Sequence, residues 1–183
     1  MSDTRQGYLI NRSYQEMAGA ADYPWLEATS TGVAPLSITD LRTIESVVDT
    51  TAQVRLAPLD RRHIMESDYT LTTTGTPSWY YLTTGSTVAV YPANTTDSLS
   101  VRYWKIPTDL TGSVEPGFPA RFHHLIVDGA VYYAYLDSDN FEAASGTREH
   151  WMLGRRDMDE QLLVGQHDQP DDYVVVVAGS EDW

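Results

Sequence analysis

Apolar residues at helical spacing mark both ends of the chain. Near the start they predict a short helix over residues 8–21, and Pro24 ends it because a proline disfavours helical backbone in the residue before it. The apolar side of this helix consists of residues three or four positions apart: Leu9, Ser13, Met17 and Ala20. Trp25 follows at once, and we expect the chain to turn there and bury an aromatic anchor.

Between residues 41 and 106 the pattern changes to the alternation that is typical of β-strands. A charged helical turn is predicted at 59–68, and residues 28–37, rich in Thr, Ser, Gly and Pro, are interpreted as a loop or an extended connection. The strand-like segments lie at 41–56, 79–82, 87–91 and 98–106. Hairpin-like turns between the last three strands predict an antiparallel meander.

Two longer helices are predicted after the β region, over 119–137 and 141–164. Pro119 suits a first helical position, and the polar residues 138–140 supply a cap for the second helix. The short polar connection implies an antiparallel pair. The core stripe of the first of these helices is expected to consist of Phe122, Leu125, Ile126, Gly129, Tyr132, Tyr133 and Leu136.

The last eighteen residues differ from the rest of the chain. Residues 166–183 carry five acidic side chains and no Lys or Arg, and an apolar β-branched run, YVVVV at 173–177, lies in their middle. Such a run is a poor free tail, because exposed strand edges aggregate, so we expect it to join a sheet edge, its own or a neighbour's. The candidate interface residues are Trp25, Tyr173, Val174, Val175, Val176, Val177 and Trp183.

The predicted fold class is therefore α+β. A helical bundle, formed by the short N-terminal helix and the long C-terminal antiparallel pair, is expected to hold an inserted antiparallel β meander and to end in an extended C-terminal arm. The predicted bundle covers residues 1–27 and 108–165. The β-rich insertion covers 28–107, and the arm covers 166–183.

Charge and composition narrow the possible functions. Asp and Glu outnumber Lys and Arg 26 to 12, for a net charge of −14, which disfavours tight binding of nucleic acid because phosphate contacts need basic side chains. The absence of cysteine excludes disulfides, thiolate zinc sites and cysteine nucleophiles. The first residues lack the apolar core of a signal peptide and no apolar run is long enough for a bilayer, so we expect synthesis as a soluble protein in the cytoplasm and no membrane partner.

No pattern in the sequence predicts catalysis or a cofactor. His123 and His124 are neighbours on a helix and point about 100° apart, so a core-edge and a solvent position are favoured over a metal site. Residues 137–142 begin like a calcium loop, but Phe141 and Glu142 stand where a ligand and a glycine belong, which favours a helix cap. Nucleophile elbows and phosphate-binding loops are absent. We expect a non-enzymatic protein without cofactors.

Four stretches, taken in order, resemble the head-to-tail adaptor (connector, or head completion) family of tailed bacteriophages. The first is INRSYQEM at 10–17 with YPWLE at 23–27, similar to an N-x-A-Y-x-E helix that ends in an aromatic turn. The second is GTPSWYYL at 75–82. The third is VAVYP at 88–92 leading to LSVRYWKIP at 99–107. The fourth is FPARFHHLIVDGA at 118–130. Members often begin with a further helix, for which only about seven residues are available here.

The resemblance implies a helical bundle with an inserted β region and a structural role in the virion neck. Family members commonly form twelve-subunit rings between the portal protein and the tail or further neck proteins, with genomic DNA passing through the ring. Acidic subunits around such a channel would repel the DNA backbone and prevent specific binding. Two other hypotheses remain open: a ligand- or carbohydrate-binding module of a phage tail that uses exposed aromatics of the β region, and a hydrolase that uses His123 or His124.

Overall fold

A computed structural model describes residues 3–83, 86–112 and 114–163, which form four α-helices, two one-turn 3₁₀ helices and seven strands. The helices are α1 (Asp3–Ala18), α2 (Arg61–Ser67), α3 (His124–Asp137) and α4 (Phe141–Leu162), and the 3₁₀ turns are Pro24–Leu26 and Ala120–Phe122. The strands are β1 (Glu27–Val33), β2 (Leu36–Ser37), β3 (Leu41–Asp49), β4 (Val54–Pro58), β5 (Trp79–Leu82), β6 (Thr87–Tyr91) and β7 (Ser98–Lys105). The chain divides into two compact units, residues 11–119 and residues 1–10 with 120–183.

The unit of residues 11–119 is built on one seven-stranded sheet. Its strands follow the order β1-β7-β3-β4-β5-β6-β2, and all neighbours are antiparallel except β4 and β5. The two edge strands, β1 and β2, are consecutive in the chain and only residues 34 and 35 separate them, so the sheet curls until its edges approach each other. The core on its inner side consists of Ala34, Ile38, Val47, Leu56, Val88, Val90, Leu99, Val101 and Tyr103.

This sheet contradicts the predicted helical bundle with an inserted meander. The sheet dominates its unit, and only the β5–β6 part of the expected meander is a hairpin, because β7 pairs with β1 and β3 instead of β6. The place beside β6 is taken by β2, which lies in the segment that the sequence indicated as a loop or extended connection. A seven-stranded sheet therefore stands where the sequence predicted a β-rich insertion, residues 28–107, built on an antiparallel meander.

The sequence pattern did not predict strand β1, because β1 is a polar strand at the edge of the sheet. Its residues EATSTGV include no alternating apolar series, and its outward side chains, such as Thr29 and Thr31, are exposed. Arg102 of β7 holds the three strands together at the surface through ion pairs with Glu27 of β1 and Glu45 of β3, the latter at 3.1 Å. Pairing across β7, more than burial, fixes the position of β1.

Helix α1 is longer at its start than the predicted 8–21 and ends earlier, at Ala18. Residues 3–8 are exposed, so the first turns of the helix have no apolar periodicity from which they could be predicted. Within the sheet-containing unit, Asn11 binds the segment after β7 in both directions: its Oδ1 accepts from the Leu110 amide at 2.6 Å, and its Nδ2 donates to the Leu110 carbonyl at 3.1 Å. Gln15 Nε2 donates to the Pro107 carbonyl at 2.9 Å.

In the other unit α3 and α4 pack against each other, as the sequence predicted. Asn140 caps α4, since its side chain accepts from the Ala143 amide at 3.2 Å. Trp151 is buried in the helix pair and its ring stacks on that of Tyr132, with centroids 5.8 Å apart. A 3₁₀ turn occupies the start of the predicted 119–137 helix, so α3 begins at His124. The predicted domain boundaries stay predictions, and the arm 166–183 lies outside the described residues.

Candidate assembly surfaces

Trp25, the first predicted interface residue, packs into an aromatic cluster of its own unit. Its ring stacks on Tyr23, with centroids 4.2 Å apart, and lies at a tilt 5.6 Å from Phe118. Gly117 approaches so closely that a Cβ there would lie 2.7 Å from Trp25 Cδ1. Burial raises the pKa of the neighbouring Tyr14, although its hydrogen bond with the Gly117 backbone acts in the opposite direction. Trp25 is half-buried here, and its role between subunits stays a prediction.

The remaining interface candidates belong to the C-terminal arm. They are Tyr173, Val174, Val175, Val176, Val177 and Trp183, and they lie outside the described residues. Their role in assembly stays a prediction.

The outer side of α3 is the clearest apolar surface of its unit. Val127, Val131 and Tyr135 are spaced by four residues, lie along one side of the helix, and are 57%, 39% and 36% exposed. We call these three residues the α3 stripe. The opposite side of the same helix is buried through Leu125, Ile126, Gly129 and Tyr133. A helix that is apolar all round is normally enclosed on all sides, which makes the stripe a candidate contact surface.

Helix α4 adds exposed apolar side chains in the same unit. Phe141 is 66% and Leu153 is 61% exposed, and Met152 is also exposed. Single apolar residues at a surface are ordinary, but several on each of two consecutive helices make both helices candidates for contact with another protein.

The second candidate surface is a cleft in the sheet between β3 and β5. It has a volume of about 570 Å³ and is open to solvent. Its lining comprises residues 41–44 of β3, residues 58–61 from the end of β4 to the start of α2, and residues 80–82 of β5. Burial raises the pKa of Tyr80 at its inner end, and the charge of Arg55 acts in the opposite direction. The cleft is lined mainly by aliphatic and aromatic side chains, with two arginines, Arg42 and Arg61, and one acidic residue, Asp60.

The two histidines stand at the start of α3. His123 is half-buried and His124 is exposed, with Nδ1 of His124 2.9 Å from the Arg121 carbonyl. In the part of the chain that the structure describes, no group of three or more His, Asp or Glu side chains could hold a metal ion. No described helix has both the length and the apolar character needed to cross a membrane. Residues 137–142, compared above with a calcium loop, include the Asn140 cap of α4.

Sequence reasoning missed both the α3 stripe and the cleft. Val127, Val131 and Tyr135 lie outside the predicted core stripe, but between Leu125 and Leu136 the helix contains a single charged residue, Asp128, and that signal could have revealed a second apolar side. The cleft had no local signal, since it exists only where the pairing of β3 with β4 stops.

Comparison with known proteins gives the chain its family. The model of the SU10 adaptor protein family matches residues 3–177, which is nearly the whole chain. A search among proteins of curated function finds no match. A match of this extent, added to a sheet and a helix pair with surfaces suited to other proteins, shows that the chain belongs to the SU10 adaptor protein family, a family of phage head-to-tail adaptors.

Proposed function

We propose that this protein is a structural component of the virion neck, that it forms a ring between the portal protein and the tail, and that DNA passes through this ring without specific binding. The family match over residues 3–177 carries the proposal, because the family is one of head-to-tail adaptors. A role in assembly also agrees with the apolar surfaces described above. Subunits of this kind work by contact with other proteins, so the proposal includes no reaction.

The α3 stripe is the proposed ring contact. The three side chains already lie on a helix whose other side is buried, and covering them with a neighbouring copy would complete the enclosure of α3. A contact between two different surfaces of identical subunits closes into a ring when its rotation allows. Full burial of an exposed aliphatic side chain contributes about 1.5–3 kcal/mol, and Val127 and Val131, already about half covered, would each contribute roughly half of that.

Charge supports passage of DNA without adhesion. The chain carries a net charge of −14, and a ring repeats that charge in every subunit. A channel lined by such subunits repels phosphates at low salt and offers few basic side chains for counterion release.

The experiment compares two double variants in phage complementation. Val127→Ser with Val131→Ser removes the aliphatic part of the α3 stripe. Val33→Ser with Val54→Ser is the matched control, since both valines are exposed to a similar degree, 50% and 45%, but lie on strands of the sheet. We expect both proteins to stay folded by circular dichroism, and only the control to enter purified particles at the normal level. Normal incorporation of the stripe variant would refute the proposed ring contact.

A second measurement tests the neck role itself. Immunolabelling of purified particles should place the protein at the junction of capsid and tail. Particles that are complete and infectious without the protein would refute the neck role whatever the ring contact is.

The alternative of a carbohydrate-binding module has less support. Tyr69 and Trp79 are the exposed aromatics of the β region, at 79% and 39%. They lie on different segments, one after α2 and one in β5, and the Trp79 ring already packs at a tilt against Tyr91, with centroids 6.4 Å apart. We therefore favour the adaptor.

A further inference from the structure

The seven-stranded sheet contains a gap between β3 and β5. Strand β4 pairs with β3 only at residues 47–49, and with β5 only through Ala57 and Pro58. Among the described residues, the first half of β3 (41–46) therefore has a strand partner on one side only, which is β7. Tyr81 and Leu82 of β5 likewise pair only with β6. Each is an open edge whose backbone amides and carbonyls can accept another strand.

The cleft of about 570 Å³ lies between these two open edges. Its walls include Leu41 and Ile44 of β3 and Tyr80 of β5, all of which also pack on the buried core of the sheet. The walls of the cleft are therefore held by the packed core of the sheet, and the cleft exists without any rearrangement of the strands. One carbonyl of the β3 edge, that of Glu45, accepts from an Arg55 side-chain nitrogen at 3.4 Å, and the arginine is exposed enough to leave it.

The lining of the cleft is basic, although the chain as a whole is strongly acidic. It includes Arg42 and Arg61 but one acidic residue, Asp60. The Asp60 carboxylate already caps α2 by accepting from the Arg62 amide at 2.9 Å. Arg42 donates to the Ala21 carbonyl at 3.0 Å and already forms an ion pair with Asp22, which leaves Arg61 as the residue of the lining that the argument from charge uses. An acidic extended peptide complements this lining in both charge and backbone pairing.

One segment of the chain has that chemistry. Residues 166–183 carry a formal charge of −5, with Asp168, Asp171 and Asp172 before the YVVVV run and Glu181 and Asp182 after it. Valine and tyrosine are among the residues most favoured in strands. The last residue of α4 is Leu162, so about ten residues, with a reach of up to about 33 Å, separate the helix from the run.

We propose that residues 173–177 of one copy add as a strand to the open β3 edge in the cleft of a neighbouring copy. The inference rests on the proposed function and deepens it, since it names the receptor for the arm. Arm and cleft are different surfaces of the same chain, so each subunit gives an arm to one neighbour and receives an arm from the other. An acidic flank of the run then lies near Arg61 in the lining of the cleft.

Cysteine crosslinking in assembled particles tests this docking. The chain has no cysteine, so an engineered pair reacts without background. Thr43→Cys places a thiol on the exposed β3 wall of the cleft, and Val175→Cys places one in the middle of the arm. A disulfide forms only when the Cα atoms approach within about 7 Å. The control replaces Thr43→Cys by Thr29→Cys, another exposed strand threonine, which lies on β1.

The expected result is a ladder of covalent multimers from particles that carry Thr43→Cys with Val175→Cys, and monomers from particles that carry the Thr29→Cys control pair. Particles that carry only one of the two cysteines measure the crosslinking between identical positions of two copies, and this background is subtracted. Arg61→Ala in the reactive pair should lower the crosslinking yield by about two- to fivefold, the effect of one exposed ion pair.

Three results would overturn the inference. The first is that the reactive pair gives monomers and no multimers. The second is a crosslink within one chain, and the third is an equal ladder from the reactive and the control pair. Presence of the protein in the particle is measured on the same gel. A sample that contains the protein but no multimers therefore rejects the docking and leaves the proposed neck role intact, whereas absence from particles rejects the neck role.

Discussion

Two glycines of α4 allow the packing of the helix pair to be tested with one methyl group. A Cβ built at Gly154 would overlap Leu125 Cδ2 of α3 and lie 3.6 Å from Leu125 Cγ. A Cβ at Gly146, on the same helix, would meet nothing within 4 Å. Gly146→Ala is therefore the matched control for Gly154→Ala, because both changes remove the same conformational freedom from the same helix.

The expected magnitudes follow from two opposing effects. Replacing a glycine within a helix by alanine stabilises it by about 0.8–1.0 kcal/mol, which is the full expected effect at Gly146. At Gly154 the added methyl group must displace Leu125, whose side chain is 1% exposed, and overpacking of this kind costs about 1–3 kcal/mol. Gly154→Ala should thus leave the helix pair about 1–3 kcal/mol less stable than Gly146→Ala.

Native-state hydrogen exchange, measured by mass spectrometry on peptides of α3 and α4, is the suitable assay. It reports the free energy of opening for the helix pair itself and does not require the whole chain to unfold in one step. The Leu125→Ala background supplies a double-mutant cycle: with the leucine truncated, Gly154→Ala should become stabilising. Equal stabilisation by the two glycine substitutions in the normal background would refute the close approach of α4 to Leu125.

Three further substitutions probe the hydrogen bonds that hold the described segments. Asp49→Ala should destabilise the sheet by about 2–4 kcal/mol in urea denaturation, because the buried carboxylate accepts from two amides of the β3–β4 turn at 2.9 Å. Asn11→Ala should cost about 1–3 kcal/mol and speed hydrogen exchange of the Leu110 amide; unchanged exchange there would contradict the bridge. Asn140→Ala should cost about 1 kcal/mol in opening of α4, with Asn140→Asp retaining most of the cap.

The local pattern of the sequence predicted individual elements better than their arrangement. The segments 79–82 and 87–91 and the helix after Asn140 were found because their alternation or capping is visible within a few residues. The order of the strands was wrong, since the partners of β7 lie far away: Glu27 of β1 pairs with Trp104. Periodicity says which side of a strand is buried, but it does not say which strand lies beside it.

The surfaces show the same division. The second apolar side of α3 was missed, although the single charged residue between Leu125 and Leu136 could have indicated it. The cleft depends on where β4 ends relative to β3 and β5, which is a property of three separate segments in space. The sequence alone predicted the residues of the YVVVV run as contact residues. The cleft proposed to receive them could be identified only from the strand pairing in the structure.

The position of β7 between β1 and β3 has a consequence for synthesis of the protein. When the first ninety residues have been synthesised, β1 and β3 are present but β7, which pairs with both of them, is not. This part of the sheet therefore forms only after residues 98–105 have been made. Contacts between such distant segments slow folding, because a long loop must close before any pairing is gained. Strand β1 is polar, with exposed threonines and one glycine, so it exposes little apolar surface on which other unfolded chains could aggregate during that delay.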